Sequence, residues 1–552
     1  MTELATAAEL FWSHQKSESK GLHFEDGEVT YRQWLDEARR RAALFDELRD
    51  PDKPPHIGVL LDNTPDYLYW LGAAAISGAV IVGVNSTYRG AELLRLIDHA
   101  DCQLMVVSDT FGDLLEEAEF SMDPAKVLRT ESPAYRAALS DLEGVELAGK
   151  APEEEDLYLL IFTSGSTSFP KAVRCTQGRF ARTGAHVARV ADLHEGDGVY
   201  SPLPFFHSSS LFSGLASSLA AGVPLGTRSK FSASRTIGDV RAMGASFMTY
   251  TGKVLNYILA VPPDTNDAVN PLRIVIGNEA SVNDIRSFAE RFDCRVHDSY
   301  GSTEGVITIR RDASMPDGAL GSAEASIVVL DPETGDECPR VRRGADGTIL
   351  NAADATGEIV NLQPSGGFEG YYKNEEATTE RFRDGKYWSG DLAYRDDDGW
   401  FYFAGRSNEW LRVDGENFAA GVVETILGRF EQARSAIVYA VPDAPVGDAV
   451  MAALEVGDPS RFDVGAFDDF LRAQDDLGPK WVPSFVRIGS DLPKLASMKF
   501  DKTTLRREAW LHGEVFWRSA RGEPLTPLST EDRATLAPRL SGPGAPQATN
   551  HP

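Results

Sequence analysis

The sequence predicts a large α/β domain followed by a smaller α+β domain. Between residues 20 and 400, short apolar runs such as HIGVLL, QLMVVS and RIVIG alternate with longer amphipathic stretches such as YRQWLDEARRRAALFDEL. This alternation is typical of strands connected through helices, which pack in α/β layers. After Gly405 the units become shorter, with a helix near residues 422–430, strands at SAIVYAV and VMAALEV, a helix at VGAFDDFLRAQ and a strand at SFVRIG. We therefore place the second domain from Arg406 onwards.

The composition of the chain sets the predicted domain bounds. We expect the α/β domain to span residues 1–405, the α+β domain residues 406–521 and a proline-rich tail residues 522–552. The tail holds six prolines and almost no aromatic or β-branched apolar residues. Such a segment cannot bury enough apolar surface to offset the entropy lost on ordering the chain, so we predict that the tail is disordered.

Charge and cysteine content exclude several classes of protein. The 552 residues include 83 acidic and 55 basic side chains, and the net charge of -28 disfavours a nucleic-acid partner. The four cysteines are too far apart for a zinc finger or ribbon, and a chain of this size needs no disulfide framework. The strongest apolar segment, residues 71–84, contains three glycines and predicts a buried helix passing into a strand rather than a transmembrane span. Because the N-terminus lacks the features of a signal peptide, we expect a cytoplasmic protein.

The segment LYLLIFTSGSTSFPKAVRCT, residues 157–176, carries the clearest chemical signal. Its six leading apolar residues predict a buried strand. The strand runs into a loop of small hydroxyl residues and one glycine: Thr163, Ser164, Gly165, Ser166, Thr167 and Ser168. Such a loop brings N–H groups and hydroxyls close to phosphate oxygens, and Lys171 adds a positive charge. It is not a Walker A loop, because Pro170 precedes the lysine and a strand-like segment follows. By itself the segment also fits a polar hairpin turn.

This segment resembles the phosphate loop of the adenylate-forming superfamily, whose members read approximately YTSGTTGxPKG. The superfamily contains acyl-CoA synthetases, the adenylation domains of peptide synthetases and luciferases. Ser168 and Ala172 stand where the family usually has glycine. The resemblance implies layered α/β/α subdomains in the large domain and a small, mobile C-terminal domain. The segments PLPFFHSSSLFSG and FMTYTGKVLNYIL are most similar to actinobacterial fatty-acid and steroid-side-chain CoA ligases related to fatty-acid transport proteins.

The segment DSYGSTEG, residues 298–305, resembles the adenine and magnesium motif of the same superfamily. The resemblance assigns Tyr300 and Gly301 to the nucleotide, with the tyrosine stacked on adenine. Thr303 would approach the α-phosphate, and Glu304 would hold Mg²⁺ through carboxylate oxygen. An isolated octapeptide of this kind also fits a capped helix N-terminus.

Three further motifs follow in family order. YWSGD resembles the segment whose aspartate, here Asp391, binds the ribose hydroxyls, although a turn aspartate would read the same way. A predicted hairpin then leads to Arg406, the second ribose contact of the family, and Asn408 stands at the hinge position. LPKLASMKFDKTTLR resembles PKTxxGKxxRxxLR, which places Lys499 on the lysine that contacts the acyl carboxylate and the α-phosphate. Lys494 and Lys502 are the alternative lysines in that segment.

The resemblance implies an ATP- and Mg²⁺-dependent, AMP-forming ligase that adenylates a fatty, aryl or steroidal acid and transfers the acyl group to CoA. Lys499, Glu304 and Thr303 would be the catalytic residues. The residues expected around the acyl pocket are His207, Tyr250, Thr251, Gly252 and Lys253. His207 is equally compatible with a buried histidine bound to a neighbour. We expect a monomer or a homodimer.

Two other functions remain open at this point. The departures at Ser168, Asn408, Gly421 and Met498 are compatible with a diazotase of secondary metabolism, which would activate nitrite through AMP and convert an aryl amine to a diazonium group. A degenerate binding or regulatory protein is the other reading. It is disfavoured because the lysines, acids and arginine expected of an active member are all present.

Overall fold

The structure, a computed structural model, describes most of the chain. The described residues are 4–118, 120–147, 150–163, 170–252, 254–278, 280, 282–310, 315–316, 318–344, 349–364, 367–406, 410–413, 416–443, 447–474, 477–494 and 500–536.

The helices and strands follow one another along the whole described chain. The α-helices are α1 (Ala7–Ser13), α2 (Tyr31–Leu48), α3 (Pro65–Ser77), α4 (Gly90–His99), α5 (Asp109–Glu117), α6 (Pro133–Asp141), α7 (Gln177–Val190), α8 (Ser217–Ala221), α9 (Thr236–Met243), α10 (Val254–Leu259), α11 (Val282–Phe292), α12 (Ala352–Ala355), α13 (Glu375–Arg381), α14 (Ala420–Leu427), α15 (Val464–Arg472), α16 (Lys502–Glu508) and α17 (Thr530–Leu536), and a π-helix at Ser209–Ala216 leads into α8. The strands are β1 (Lys20–Phe24), β2 (Gly27–Thr30), β3 (His56–Leu60), β4 (Val80–Gly83), β5 (Leu104–Val107), β6 (Val127–Arg129), β7 (Leu157–Thr163), β8 (Lys171–Thr176), β9 (Val199–Tyr200), β10 (Leu225–Gly226), β11 (Phe247–Thr251), β12 (Ile274–Asn278), β13 (Arg295–Tyr300), β14 (Ile309–Arg310), β15 (Ile327–Leu330), β16 (Gly357–Asn361), β17 (Phe382–Arg383), β18 (Lys386–Arg395), β19 (Phe401–Arg406), β20 (Trp410–Val413), β21 (Glu416–Ala419), β22 (Ala433–Asp443), β23 (Gly447–Val456), β24 (Phe485–Gly489), β25 (Glu514–Trp517) and β26 (Thr526–Pro527).

The first of two compact units comprises Met1–Thr308 and Ser365–Glu380. One of its sheets has the strand order β6-β5-β3-β4-β7-β8, parallel except for the β7–β8 hairpin. In another sheet β13, β12, β11, β9, β10 and β1 are parallel, and β2 pairs antiparallel with β1. Parallel strands require crossover connections, which the helices supply, so the predicted α/β architecture is confirmed.

Local sequence explains how the helices of this unit begin and end. Thr30 and Gln33 form a capping box at the start of α2, in which each side chain accepts a hydrogen bond from the other residue's backbone N–H. Gly78 ends α3 with a φ of +76°, after which the chain enters β4, as predicted for residues 71–84. No helix among the described residues is long and apolar enough to span a bilayer.

The second unit comprises Ile309–Pro364 and Arg381–Pro552. One sheet has the antiparallel order β15-β16-β18-β17, with β19 paired to β18. Another has the order β21-β20-β23-β24-β25-β26, with β22 paired to β23. The predicted strands and helices after Gly405 correspond to α14, β22, β23, α15 and β24. The predicted start of the mobile domain at residue 406 stays a prediction. The packing within each compact unit does not show which part of the chain moves.

The chain from residue 522 differs from the expected disorder. Residues 522–536 include β26 and α17, and Leu525, Leu528 and Leu536 are buried. Three spaced leucines are enough to order this stretch because β25 offers a pairing edge to β26. The prediction for residues 537–552 falls outside the described residues.

Acidification is expected to destabilise the first unit. Burial lowers the pKa of His56 below its ordinary value of 6.5, and the same cause lowers the pKa of His14. Such histidines take up a proton more readily after unfolding, so their contribution to stability is complete above about pH 6.5 and is lost as the pH falls below that value. The thermal unfolding temperature should therefore decrease as the pH is lowered from about 7.5 to about 5.5.

The matched variant is His56→Asn. The Nδ1 atom of His56 lies 2.6 Å from the carbonyl oxygen of Ala100, and an asparagine amide can donate to the same carbonyl without titrating. This variant should show a weaker dependence of unfolding temperature on pH. An unfolding temperature that rises on acidification, or the same pH dependence in the variant, would contradict the assignment.

Candidate active site

The β7–β8 hairpin carries two of the predicted phosphate-binding residues. Thr163 ends β7, Lys171 begins β8, and the two residues face each other across the antiparallel pair. The hydroxyl of Thr163 donates to the backbone carbonyl of Lys171 at 3.4 Å. Lys171 is only 6% exposed, so its charge acts in surroundings of lower dielectric than water. The other predicted loop residues, Ser164, Gly165, Ser166 and Thr167, lie outside the described residues.

Tyr371 connects the phosphate lysine to the predicted magnesium ligand. Its hydroxyl donates to Oε1 of Glu304 at 2.6 Å. Its ring centroid lies 5.3 Å from Nζ of Lys171, within the range of a cation–π contact. Tyr371 and Glu304 are also buried, with 5% and 7% exposure. The structure thus brings Lys171 and Glu304 to one tyrosine inside the first unit.

The groups around Glu304 fit a magnesium ion. Mg²⁺ prefers oxygen ligands and is usually held by one or two carboxylates together with substrate phosphates. Glu304 supplies a buried carboxylate, and the adjacent Thr303 supplies a hydroxyl. Within the described part of the chain, no group of three or more His, Cys, Asp or Glu side chains is arranged to hold a metal. A single carboxylate suits an ion that binds together with a nucleotide.

The loop that carries Thr303 and Glu304 is tied to α7 and to the segment before α8. The hydroxyls of Thr303 and Ser208 lie 3.0 Å apart. The buried guanidinium of Arg179 donates to the backbone carbonyl of Thr303 and also, at 2.9 Å, to that of Arg174 in β8. Arg179 of α7 therefore links the loop that carries Thr303 to β8 of the phosphate hairpin.

The residues predicted for adenine, and those predicted for the acyl pocket other than His207, lie near the carboxyl ends of parallel strands in one sheet. β11 ends at Thr251 and β13 ends at Tyr300, with β12 between them. Ligands of open α/β sheets bind at this edge. Gly252 follows with a φ of +53°, and its N–H donates to the carbonyl of Asn278 at 2.9 Å. Tyr300 is half-buried and Gly301 is exposed, whereas Lys253 lies outside the described residues.

Tyr250 and His207 occupy different surroundings. Tyr250 is fully buried, and its hydroxyl donates to Oδ2 of Asp298 at 2.6 Å, which joins β11 to β13. His207 is half-buried, with its ring centroid 4.4 Å from that of Phe206. It immediately precedes Ser208, the hydroxyl neighbour of Thr303. Of the two, His207 lies on the segment that reaches the Thr303 loop.

In the second unit, Asp391 of β18 lies opposite Arg406 of β19 in the backbone register of the predicted hairpin. The backbone N–H of Asp391 donates to the hydroxyl of Ser389 at 3.0 Å. The preceding Gly390, at a φ of +75°, donates its N–H to Oε1 of Glu358 at 2.6 Å. Burial raises the pKa of Glu358, and the hydrogen bond from Gly390 opposes that shift. Glu358 thus supports the turn that carries the predicted ribose aspartate.

The predicted catalytic lysine and hinge, Lys499 and Asn408, lie outside the described residues. The two alternative lysines are engaged in ion pairs within the second unit. Nζ of Lys494 lies 2.8 Å from Oε1 of Glu455 and 2.7 Å from Oδ1 of Asp491. Nζ of Lys502 lies 3.0 Å from Oε1 of Glu424. These contacts give both lysines structural roles.

Four supporting residues were missed by the sequence reasoning: Arg179, Ser208, Glu358 and Tyr371. Each acts on a residue far away in the chain or through a backbone group. The Tyr371 hydroxyl, for example, reaches a residue 67 positions earlier.

Comparison with known protein families identifies the family of the chain. Residues 11–372 match the family described as AMP-binding enzyme. The chain belongs to this family. Steroid-22-oyl-CoA synthetase from Rhodococcus jostii is 43% identical over 528 residues, covering 95% of this chain and 94% of the relative. The medium/long-chain-fatty-acid–CoA ligase FadD17 of Mycobacterium tuberculosis is 40% identical over 515 residues, covering 93% of this chain and 98% of that protein.

Two solved structures share the fold. ATP-bound MatB from Rhodopseudomonas palustris superimposes with a TM-score of 0.76 at 22% identity, covering 91% of this chain and 98% of that one. The anthranilate CoA ligase AuaEII, in complex with anthranoyl-AMP, gives a TM-score of 0.76 at 18% identity, with coverage of 93% and 98%. The predicted architecture, a large α/β domain followed by a smaller one, is confirmed at the level of fold.

Proposed function

We propose that this AMP-binding enzyme is an ATP-dependent ligase that converts a carboxylic acid to its CoA thioester through an acyl-adenylate. The observation that carries the proposal is the buried cluster of Lys171, Tyr371 and Glu304, which places an ammonium and a carboxylate at one tyrosine. An ammonium suits the phosphates of ATP, and a carboxylate suits the magnesium ion that accompanies them. The R. jostii and M. tuberculosis relatives, named as CoA synthetase and CoA ligase, support the thioester as product.

The proposed chemistry has two balanced steps. A carboxylate oxygen of the acid attacks the α-phosphorus of ATP, and pyrophosphate leaves. The CoA thiolate then attacks the acyl carbonyl, and AMP leaves with the bonding electrons. Negative charge builds on the phosphate oxygens in the first step, so preorganised positive charge and hydrogen-bond donors lower its barrier.

The residues have separate roles in the first step. Lys171 neutralises phosphate charge, and the hydroxyl of Thr303 donates to a phosphate oxygen. The hydroxyl of Thr163 would donate to phosphate after giving up its 3.4 Å hydrogen bond to the Lys171 carbonyl. Glu304 would hold Mg²⁺, which, when bound, withdraws charge from the phosphate oxygens. By the resemblance, Lys499 binds the acid carboxylate and the α-phosphate, while Asp391 and Arg406 bind the ribose. The mobile domain from residue 406, with Asn408 as its hinge, remains part of this proposal.

The acid is proposed to be a steroid with a carboxylated side chain or a fatty acid. These are the classes named for the relatives at 43% and 40% identity. The diazotase alternative gains no support, because the relatives described above are named for joining acids to CoA. Enzyme family membership likewise favours catalysis over a binding role.

The test is pyrophosphate release by the purified protein with ATP and Mg²⁺. Steroid side-chain, fatty and aryl acids are compared with and without CoA, and nitrite with an aryl amine is run in parallel. We expect release that depends on a steroid or fatty acid, together with consumption of CoA. Release that requires nitrite and is indifferent to CoA would overturn the ligase in favour of the diazotase.

A further inference from the structure

A short segment of the first unit, residues 368–372, is attached to the phosphate hairpin by its backbone. The N–H of Tyr372 donates to the carbonyl of Ala172 at 2.8 Å. Tyr371 forms an antiparallel bridge with Val173. Tyr371 is therefore held opposite β8, two positions along that strand from Lys171. We call residues 368–372 the clamp segment.

A second contact secures the clamp segment to the end of β8. Oε1 of Glu369 accepts a hydrogen bond from the hydroxyl of Thr176 at 2.7 Å, and Oε2 accepts one from its backbone N–H at 2.7 Å. In addition, the N–H of Arg174 donates to the carbonyl of Gly370 at 3.1 Å. Contacts at both ends restrict the backbone on either side of Tyr371, so the direction of its side chain is well defined.

The two ends of the Tyr371 side chain reach two different charges. The hydroxyl donates to Oε1 of Glu304 at 2.6 Å, and the ring faces Nζ of Lys171 at 5.3 Å. All three residues are at least nine-tenths buried. A carboxylate has about four acceptor positions, so a single hydrogen bond from the tyrosine leaves others for a metal while restraining the rotation of the group.

We propose that Tyr371 is a positioning residue that orients Glu304 towards a magnesium–nucleotide complex and couples that carboxylate to Lys171. The inference rests on the proposed function only in taking ATP with Mg²⁺ as the ligand. It predicts that the two parts of the side chain are separable. The hydroxyl serves the metal-dependent part of nucleotide binding, and the ring serves the lysine.

The test measures ATP binding to the full-length protein by calorimetry, with excess Mg²⁺ and with EDTA. Tyr371→Phe removes the hydroxyl and keeps the ring over Lys171. The gain in affinity caused by Mg²⁺ should fall on the order of tenfold, as expected for loss of a hydrogen bond to a charged group. The affinity measured in EDTA should change by less than about twofold, because the cation–π contact remains.

Tyr371→Leu separates the role of the ring. It removes the aromatic face as well, so the affinity in EDTA should also fall, by about threefold or more. The matched control is Tyr31→Phe, which deletes another buried hydroxyl of the same unit, one that donates to the carbonyl of Val223 at 2.7 Å. This control should leave nucleotide binding unchanged in both buffers.

A double-mutant cycle with Glu304→Gln distinguishes positioning from general loss of structure. If Tyr371 acts through Glu304, adding Tyr371→Phe to the glutamine variant should reduce the Mg²⁺-dependent gain no further. Equal losses with Mg²⁺ and with EDTA, an unchanged Mg²⁺ gain in Tyr371→Phe, or additive losses in the cycle would each overturn the inference.

The same experiment separates this inference from the proposed function. Wild-type protein that binds ATP with a Mg²⁺-dependent gain, yet makes no thioester from any acid, would remove the ligase and leave the role of Tyr371 standing. Wild-type protein that binds no ATP would overturn both. A normal thioester yield with an unaltered Mg²⁺ gain in Tyr371→Phe would remove the role of Tyr371 alone.

Discussion

Replacing Lys499 by alanine is expected to lower the rate of acid-dependent pyrophosphate release by about 10² to 10³, comparable with the loss of one preorganised electrostatic donor. The physical reason is that the first step brings an anionic carboxylate to an anionic α-phosphate. A lysine that binds both offsets their repulsion most strongly when they are closest. The measurement is single-turnover formation of pyrophosphate at saturating ATP and acid.

Two neighbouring lysines provide the controls for this prediction. Lys494→Ala removes an ion pair to Glu455, and Lys502→Ala removes one to Glu424. Both variants should lower the unfolding temperature, and neither should show the large loss in adenylation rate expected for Lys499→Ala. If Lys499→Ala releases pyrophosphate at nearly the wild-type rate, or if Lys494→Ala shows the large loss instead, the assignment of the catalytic lysine is wrong.

Replacing Glu304 by glutamine should have an effect of similar size on the same step, about 10² to 10³. The amide oxygen can still accept the hydrogen bond from Tyr371, so the local packing is retained while the negative charge is lost. A neutral amide is a weak ligand for Mg²⁺, so the metal concentration needed for half-maximal pyrophosphate release should also rise. The measurement is a Mg²⁺ titration of the rate at saturating ATP.

A carboxylate of equal burial gives the matched control. Asp239 is 7% exposed, as is Glu304, but it pairs with Arg228 in another part of the first unit. Asp239→Asn should reduce stability and leave the Mg²⁺ requirement of the active protein unchanged. A Glu304→Gln variant with a normal Mg²⁺ titration would show that another group holds the metal.

Much of the fold could be predicted because its signals are local. Six apolar residues after Asp156 indicate β7, and the alternation of strands with amphipathic helices indicates the parallel sheets. The hairpin between β18 and β19 follows from the Asp398–Gly399 turn, where the glycine has a φ of +89°. Composition failed for residues 522–536, because three leucines acquire buried positions only once β25 and the neighbouring core exist.

The candidate site likewise contains residues that local sequence motifs predict and residues that only tertiary packing reveals. Resemblance to the motifs of the adenylate-forming superfamily predicted Lys171, Glu304 and Asp391 as site residues, and the family match over residues 11–372 confirms the family of the chain. Spacing did not identify Tyr371, which reaches a carboxylate 67 residues earlier in the chain. Nor did it reveal that Tyr250 of β11 is buried and donates its hydroxyl hydrogen bond to Asp298 of β13, across the intervening β12.

The amino-acid sequence alone indicated the family, because the motifs of a family consist of particular side chains at short, characteristic spacings. The sequence predicts Lys171 from its place after a loop of small residues and Glu304 from its place after a strand. The orientation of those groups is a different matter. It depends on which distant backbone lies beside them, and here the backbone hydrogen bonds of residues 368–372 to β8 bring Tyr371 to both charges. Such long-range contacts arise from packing of the whole unit, and no local pattern encodes them.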